Sequence, residues 1–512
     1  MHRLQFLTQA LEHPSAAHLA TLACLGAVFL AGAYLLSRID VAWLLAAGIF
    51  LELFSGYWSL MGIPVPLDRM MLSVALLVLV LKGVRRVSAR RVVLRPLHIA
   101  FLVAGTWALA SAILAGTISQ HLAYYALLDA FGLIPFAVFT MVPIFFGSPR
   151  QRNILLITLV VIGFYVGLTG ALEGVHLYRF IFPRYIADPN VGIQFGRVRG
   201  PLLESSSDGF CIFVGGVAAA VALATWRRGW ARKLCYLTIG LDGVAIFFTL
   251  TRSVWIGAFL GTVAAMSLNR TTRRILVPLL LAGTLAVGAT LAVSSQVRTE
   301  VFGRVQSQSP VWDRENTDLA AIKIVKEKPL TGVGWGNFIN VSGNYMWQQP
   351  GYPITGLDLE VHNIFLGNLA NLGIPGFLLW LVAFAGAVWR GLWRRPRWRA
   401  GPEPSPRAVA SQSEDVASQD VAGKGVGGED LAWLEPWRLG GIAIVICFVV
   451  VANLAPLTEA PANLLLWTWL GVVAMPYTSR LRSTSRLPTE ELAPSAPPAL
   501  AEDGVGLRPV YL

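Results

Sequence analysis

Long apolar stretches separated by short polar turns dominate the chain from Leu19 to Tyr477. A helix needs roughly 17 to 25 apolar residues to cross a bilayer. Windows near that length recur at 19 to 36, 41 to 56, 69 to 82, 96 to 115, 122 to 146, 154 to 174, 208 to 226, 234 to 250, 253 to 268, 275 to 293, 362 to 390, 438 to 456 and 462 to 477. The pattern predicts an all-α polytopic membrane protein with about 12 to 13 transmembrane helices and one long outer loop. Twelve is favoured, with 41 to 56 short or re-entrant around Glu52 and the N-terminus inside; thirteen full spans would put the N-terminus outside. His13, Pro14 and His18 precede the first window, which lacks a small-residue cleavage site and does not read as a signal peptide.

Composition agrees with the pattern. Of 512 residues, 55% are hydrophobic and 14% charged, too apolar for a soluble protein of this size, and the mean hydropathy is +0.60. Orientation follows from the Lys and Arg of short loops. Every second loop is basic: Lys82 to Arg95, Arg150 and Arg152, Arg227 to Lys233, Arg270 to Arg274, and Arg390 to Arg399. The positive-inside rule places these in the cytoplasm and the intervening loops, including 116 to 121 and 458 to 461, outside. The net charge of +12 is therefore a topogenic signal beside anionic lipid and not a nucleic-acid footprint.

Six regions follow: N-terminal transmembrane helices over 1–293, a large outer loop over 294–361, a transmembrane helix with a basic inner end over 362–399, a flexible linker over 400–437, C-terminal helices over 438–479 and a disordered tail over 480–512. The linker is marked by Pro402, Pro404, Pro406 and the glycines from Gly423 to Gly428, the tail by its prolines. Cys24, Cys211, Cys235 and Cys447 all lie in or beside apolar windows, which suggests neither disulfides nor a thiolate metal site. The seven histidines form no HExxH-type cluster, so no metal or other cofactor is expected.

The outer loop, 68 residues from Ser294 to Val361, is long enough to expect function. After a polar opening, Leu319, Ile322, Ile324 and Val325 fall at helical spacing between Asp318 and Glu327. Either an amphipathic helix on the membrane surface or one packed on neighbouring loop residues fits. Gly332, Gly334 and Gly336 alternate next, but Asn337 stands where a nucleotide loop needs its third glycine and no βαβ pattern surrounds them. A tight turn that lets backbone approach a helix or lipid headgroup is the better reading.

Three charged positions 199, 252 and 362 fall on the outer side by this topology. His362 sits where the long loop re-enters the membrane; an imidazole accepts protons near neutral pH, and Glu360 or Asp358 stands close enough in sequence to orient it. The stretch Cys235 to Leu268 carries only Asp242 and Arg252 as charges. As one helix its 34 residues would run about 51 Å, so two spans hinged at Thr251, Arg252 and Ser253 are expected, with Arg252 at an outer hairpin. Arg199 shares an outer loop with Arg179, Arg184 and Arg197, against the positive-inside trend. An anionic partner explains this, as does pairing with Glu204.

The run Arg197-Val198-Arg199-Gly200-Pro201, the turn Leu250-Thr251-Arg252-Ser253, the stretch from Lys328 to Gly334, and His362-Asn363 followed by Gly373-Ile374-Pro375-Gly376 together resemble the successive motifs of the O-antigen polymerase and O-antigen ligase family, over roughly residues 160 to 390. The resemblance implies an integral-membrane, metal-independent glycosyltransferase of the bacterial inner membrane with its site facing the periplasm. Its implied donor is an undecaprenyl-diphosphate-linked oligosaccharide, and its implied acceptor another such glycan in O-antigen or exopolysaccharide polymerisation, or lipid A core in ligation. A chain-length regulator and a flippase are implied partners beside membrane lipids. Carried over by motif, Arg199 and Arg252 bind the donor diphosphate, with Arg197 the alternative to Arg199 because Leu203, Glu204 and Ser205 replace the Pro-Asn pair frequent in the family. His362 assists the acceptor as catalytic base, with Glu360 and Asn363 supporting it. Transport of a lipid-linked glycan is the competing reading; transporters, however, set ionisable residues near mid-membrane and carry repeats, and no repeat is visible here.

Overall fold

The computed structural model describes residues 32, 34, 38, 40–84, 96–306, 309–346, 353–354, 359–393, 433–455, 457 and 459–478. The window at 19–36, most of the linker, the C-terminal tail and Asp358 thus lie outside the described residues, apart from positions 32 and 34. What is described is all-α. The membrane bundle comprises α1 (Val41–Leu51), α2 (Leu67–Val84), α3 (Pro96–Leu114), α4 (Ala123–Phe145), α5 (Pro149–Gly174), α6 (Ser205–Thr225), α7 (Gly229–Phe248), α8 (Arg252–Leu268) and α9 (Arg270–Val293). Two helices then occupy the outer loop, α10 (Ser295–Gln306) and α11 (Ser309–Glu327), before the bundle closes with α12 (Ile364–Val388), α13 (Leu434–Ala452) and α14 (Ala460–Thr478). Among the described residues seven helices are long and apolar enough to cross a membrane, and the apolar helices at Val41–Phe54, Arg252–Leu268 and Ala460–Met475 are shorter.

The segment at 41–54 is short, as expected: Asp40 caps its start and accepts a hydrogen bond from Gln151 at the start of α5, whereas its far end, Glu52, lies with Asp68 at the start of α2. The last pair also departs slightly from its predicted bounds: α13 begins at Leu434, inside the stretch expected to be linker.

Small residues bring the helices together. With no water to expel between apolar surfaces in lipid, association rests on close packing, which glycine permits. Gly163 and Gly215 put α5 against α6 so closely that a Cβ added at Gly215 would lie 2.2 Å from the Gly163 Cα. Gly257 and Gly261, one helical turn apart on α8, lie against Cys447 and the Ala443 carbonyl of α13. α5, α6 and α7 pack mutually, α8 packs on α13, and α12 packs on α3. Cys211, Cys235 and Cys447 are buried free thiols.

The break in the 235–268 stretch falls where helix length demands it. α7 ends at Phe248, Leu250 adopts φ 50°, and α8 starts at Arg252. Of the two readings of the 318–327 segment, packing prevails. The segment is the second half of α11, and its Ala320, Ala321 and Ile324 are buried against Val333, Phe338, Val361 and Ala370. The glycine-rich stretch that follows is a tight turn wedged between helices. Gly334 (φ 95°) meets Ala115, just past the end of α3, and Gly336 (φ 71°) meets Ala123 of α4. Trp335 between them accepts from Thr117 through its carbonyl at 2.5 Å and donates from Nε1 to the Ala123 carbonyl at 3.1 Å.

Gly336→Ala is therefore expected to destabilise the outer loop. The left-handed backbone alone costs about 1–3 kcal/mol, and the new Cβ would stand 2.4 Å from that of Ala123. Thermal unfolding of the purified protein should show a lower midpoint; an unchanged midpoint would mean the turn is not clamped.

Candidate active site

Three segments converge at one end of the bundle: the α7–α8 turn, α11 of the long loop, and the stretch that enters α12. Arg252 is the first residue of α8, and the cap residue Thr251 makes no side-chain cap bond. The first N–H groups of an uncapped helix are donors without intrahelical partners, and the helix dipole adds positive potential. Ser253, buried beside Arg252, has an Oγ with no hydrogen-bond partner among the described residues. The segment before α6 is stitched to this turn, because Val198 N–H donates to the Phe248 carbonyl at 3.1 Å. Half-buried Arg197 is its chain neighbour.

His362 precedes the cap of α12. Asn363 Oδ1 accepts from the N–H groups of Phe365 (3.0 Å) and Leu366 (3.1 Å), and its Nδ2 donates to Asn453 Oδ1 (3.3 Å). Asn363 thus fixes where the chain bearing His362 meets the helix; losing such a cap costs about 1 kcal/mol. Burial lowers the His362 pKa below its ordinary value near 6.5, and the Arg314 guanidinium lowers it further, against the opposing pull of Asp313, the Glu360 main-chain carbonyl and Glu204. The carboxylates acting on the ring are therefore Asp313 and Glu204, whereas the Glu360 side chain lines a neighbouring cleft.

Arg314 was missed by sequence reasoning. It lies on α11, half-buried, and its pKa is lowered by burial first and then by the like charge of Arg252, with Asp318 and Asp313 opposing. Its Nε is buried with no hydrogen-bond partner among the described residues. Arg314 thus lies within electrostatic reach of both Arg252, at the uncapped start of α8, and His362. A signal existed in the sequence: Arg314 continues toward the N-terminus the stripe Thr317, Ala321, Ile324, whose members are buried. An arginine on the packed face of a loop helix is unusual enough to single out.

Arg199 is placed differently. It is 0% exposed, and its guanidinium donates to four main-chain carbonyls, those of Val191 (2.5 Å), Ile193 (3.3 Å), Ile186 (3.0 Å) and Asp188 (2.6 Å), while lying 4.9 Å over the Phe195 ring. These bonds hold the 186–193 loop closed. Glu204 does not pair with an arginine among the described residues; its carboxylate caps α6, accepting from Ser206 N–H (2.9 Å) and Ser207 N–H (2.6 Å).

Residues 237–381 match the family model described as O-antigen ligase. Over that segment the chain is O-antigen ligase/polymerase-like, which supports glycan transfer of that general type by a membrane enzyme. Arg252, Arg314, Glu360, His362 and Asn363 all fall inside the matched segment, and Arg197 and Arg199 fall before it. A search of curated proteins found no match.

A pH profile tests the electrostatics. Because the folded His362 pKa is depressed, the ring stays neutral and able to accept a proton as pH falls to 6.5, and that capacity disappears only below it. The acid limb of kcat/KM for glycan transfer should therefore lie below pH 6.5. Arg314→Gln, which removes the neighbouring positive charge, should move that limb upward; a limb that stays put would break the link between the two residues.

Proposed function

We propose that this protein transfers a glycan from an undecaprenyl-diphosphate donor to a saccharide hydroxyl at the periplasmic face of the bacterial inner membrane, as a repeat-unit polymerase. The observation that carries the reading is the juxtaposition of Arg252 and Arg314 at the start of α8, electrostatically coupled to a His362 that is neutral at physiological pH. Like charges brought together cost energy unless an anion joins them. A diphosphate supplies that anion, and guanidinium forks match its oxygens.

In the reaction, neutral His362 accepts the proton of the acceptor hydroxyl as that oxygen attacks the anomeric carbon. The bond from carbon to diphosphate oxygen breaks, and its electron pair leaves with the diphosphate. Arg252, Arg314 and the N–H groups opening α8 stabilise the developing charge in a site already folded to receive it. The donor brings its own leaving group, so no nucleotide is required. Attack opposite the leaving group inverts the anomeric centre. Arg197, tethered beside the turn, is a further donor contact, and Arg199 supports the pocket by holding its loop.

The family description itself favours a second reading, ligation of glycan to lipid A core. Deleting the gene and sizing surface glycan separates the two: single repeats mean a lost polymerase, and long chains retained on the carrier mean a lost ligase. Conversion of lipid-linked donor by purified protein in liposomes would exclude transport as the main role.

Arg252→Lys and Arg314→Lys keep the charge but remove the fork, and each is expected to lower kcat by about 10²-fold. His362→Ala should lose about 10²- to 10⁴-fold. Transfer is measured by gel separation of products from lipid-linked donor; turnover that survives in His362→Ala would overturn the mechanism.

A further inference from the structure

A small open cleft of about 100 Å³ lies beside the His362 segment, between the start of α12, the Trp335–Ile339 turn and the α13–α14 loop. One wall is a single face of α12, where Ile364, Gly367, Asn368 and Asn371 succeed each other at helical spacing. The two asparagines differ. Asn371 Nδ2 donates to the Gly367 carbonyl (3.0 Å) and its Oδ1 accepts from Phe338 N–H (3.2 Å), so its amide is engaged in holding the turn. Asn368 is only 7% exposed, lines the cleft, and hydrogen-bonds no other described residue through its side chain. Its amide, facing the cleft, is available to a ligand able both to donate and to accept.

The facing groups narrow the ligand's chemistry. Glu360 lines the cleft, and Leu457 brings the α13–α14 loop to its edge. Glu459 of that loop is within electrostatic reach of Glu360 and Glu204; burial first, then Glu204, Asp129 and Glu360, push its pKa up to about 7. Among the described residues no group of three His, Cys, Asp or Glu is arranged to hold a metal ion. The cleft beside the His362 segment thus presents a carboxylate and amides, whereas Arg314, the cation that acts on His362, is not among its lining residues.

We propose that this cleft is the acceptor subsite, taking a saccharide unit that carries no negative charge, with Asn368 and Glu360 binding its hydroxyl groups. The assignment rests on the glycan-transfer reading above and adds the place and charge class of the acceptor. Hydroxyls both donate and accept, as an amide and a carboxyl require, and an anionic sugar would enter a place where burial already disfavours negative charge, holding the Glu360 carboxyl above its ordinary range. With an uncharged sugar here and the diphosphate at the guanidinium groups, the two substrates approach His362 from electrostatically distinct sides and neither competes for the other's place.

The test uses full-length protein in nanodiscs with saturating lipid-linked donor. The probe is the oligosaccharide released from that donor by mild acid, which lacks the diphosphate and competes only for the acceptor subsite. Asn368→Ala is expected to raise its half-saturating concentration at least tenfold. Gly367→Ala keeps every polar group, and its added Cβ meets only Val361 at 3.5 Å; by narrowing the cleft it should raise the same constant. In wild type, the oligosaccharide oxidised to carry carboxylates should bind at least tenfold more weakly than the unoxidised form, and Glu360→Gln should narrow the gap. An unchanged constant in both Asn368→Ala and Gly367→Ala, or equal binding of the oxidised form, overturns the proposal. Arg314→Lys and His362→Ala run alongside: if they lose turnover and the cleft variants do not respond, only the acceptor assignment fails, whereas if they retain turnover the transfer mechanism itself fails.

Discussion

The site depends on holding two like charges together. Arg252 and Arg314 come from segments 62 positions apart, and their mutual repulsion would separate them if each were free to turn toward water. Two features of the fold oppose this. Arg252 is fixed as the first residue of α8, whose glycine face is pressed on α13, and Arg314 is fixed on α11, whose Ala320, Ala321 and Ile324 are buried against the loop and α12. Apolar burial of about 25 cal/mol per Å² thus keeps the cationic pair assembled before any ligand arrives. Preorganised charge of this kind is what a leaving diphosphate needs, because no reorganisation then accompanies the reaction.

The same preorganisation acts on the base. Burial keeps the imidazole neutral, and the Arg314 guanidinium acts in the same direction. Binding an anion would partly cancel that field, so a filled donor site makes His362 more willing to take a proton than an empty one. Proton transfer is thereby favoured when the leaving group is in position. Glu360 and the Asn368 amide line the neighbouring cleft, which under the proposed reading receives hydroxyl groups while the guanidinium groups receive phosphate.

Much of the scaffold was legible in the sequence because lipid imposes simple demands. Apolar windows marked the spans, and the excess length of 235–268 required the break that the structure has between Phe248 and Arg252. The alternating glycines read as a tight turn, and they are one. The site was only partly legible. Arg199 stood out as an outer arginine, but the carbonyls of 186–193 that absorb its donors belong to irregular backbone, for which no residue pattern exists. Glu204 offered a carboxylate that hydropathy cannot tell apart from an ion-pair partner, and it caps a helix instead. The first half of α11 looked like polar loop because a helix that packs a charged residue into a site violates the apolar-inside rule on which pattern reading depends.

Titrating His362 by NMR, with imidazole-labelled protein assigned by comparison with His362→Gln, tests the assembled site most directly and does not depend on turnover. The free protein should show a pKa below 6.5, and saturating undecaprenyl diphosphate should move it upward in wild type but not in an Arg252→Gln, Arg314→Gln double variant. A His362 resonance that ignores the diphosphate would contradict the account, since imidazole and guanidinium groups would then not share one site.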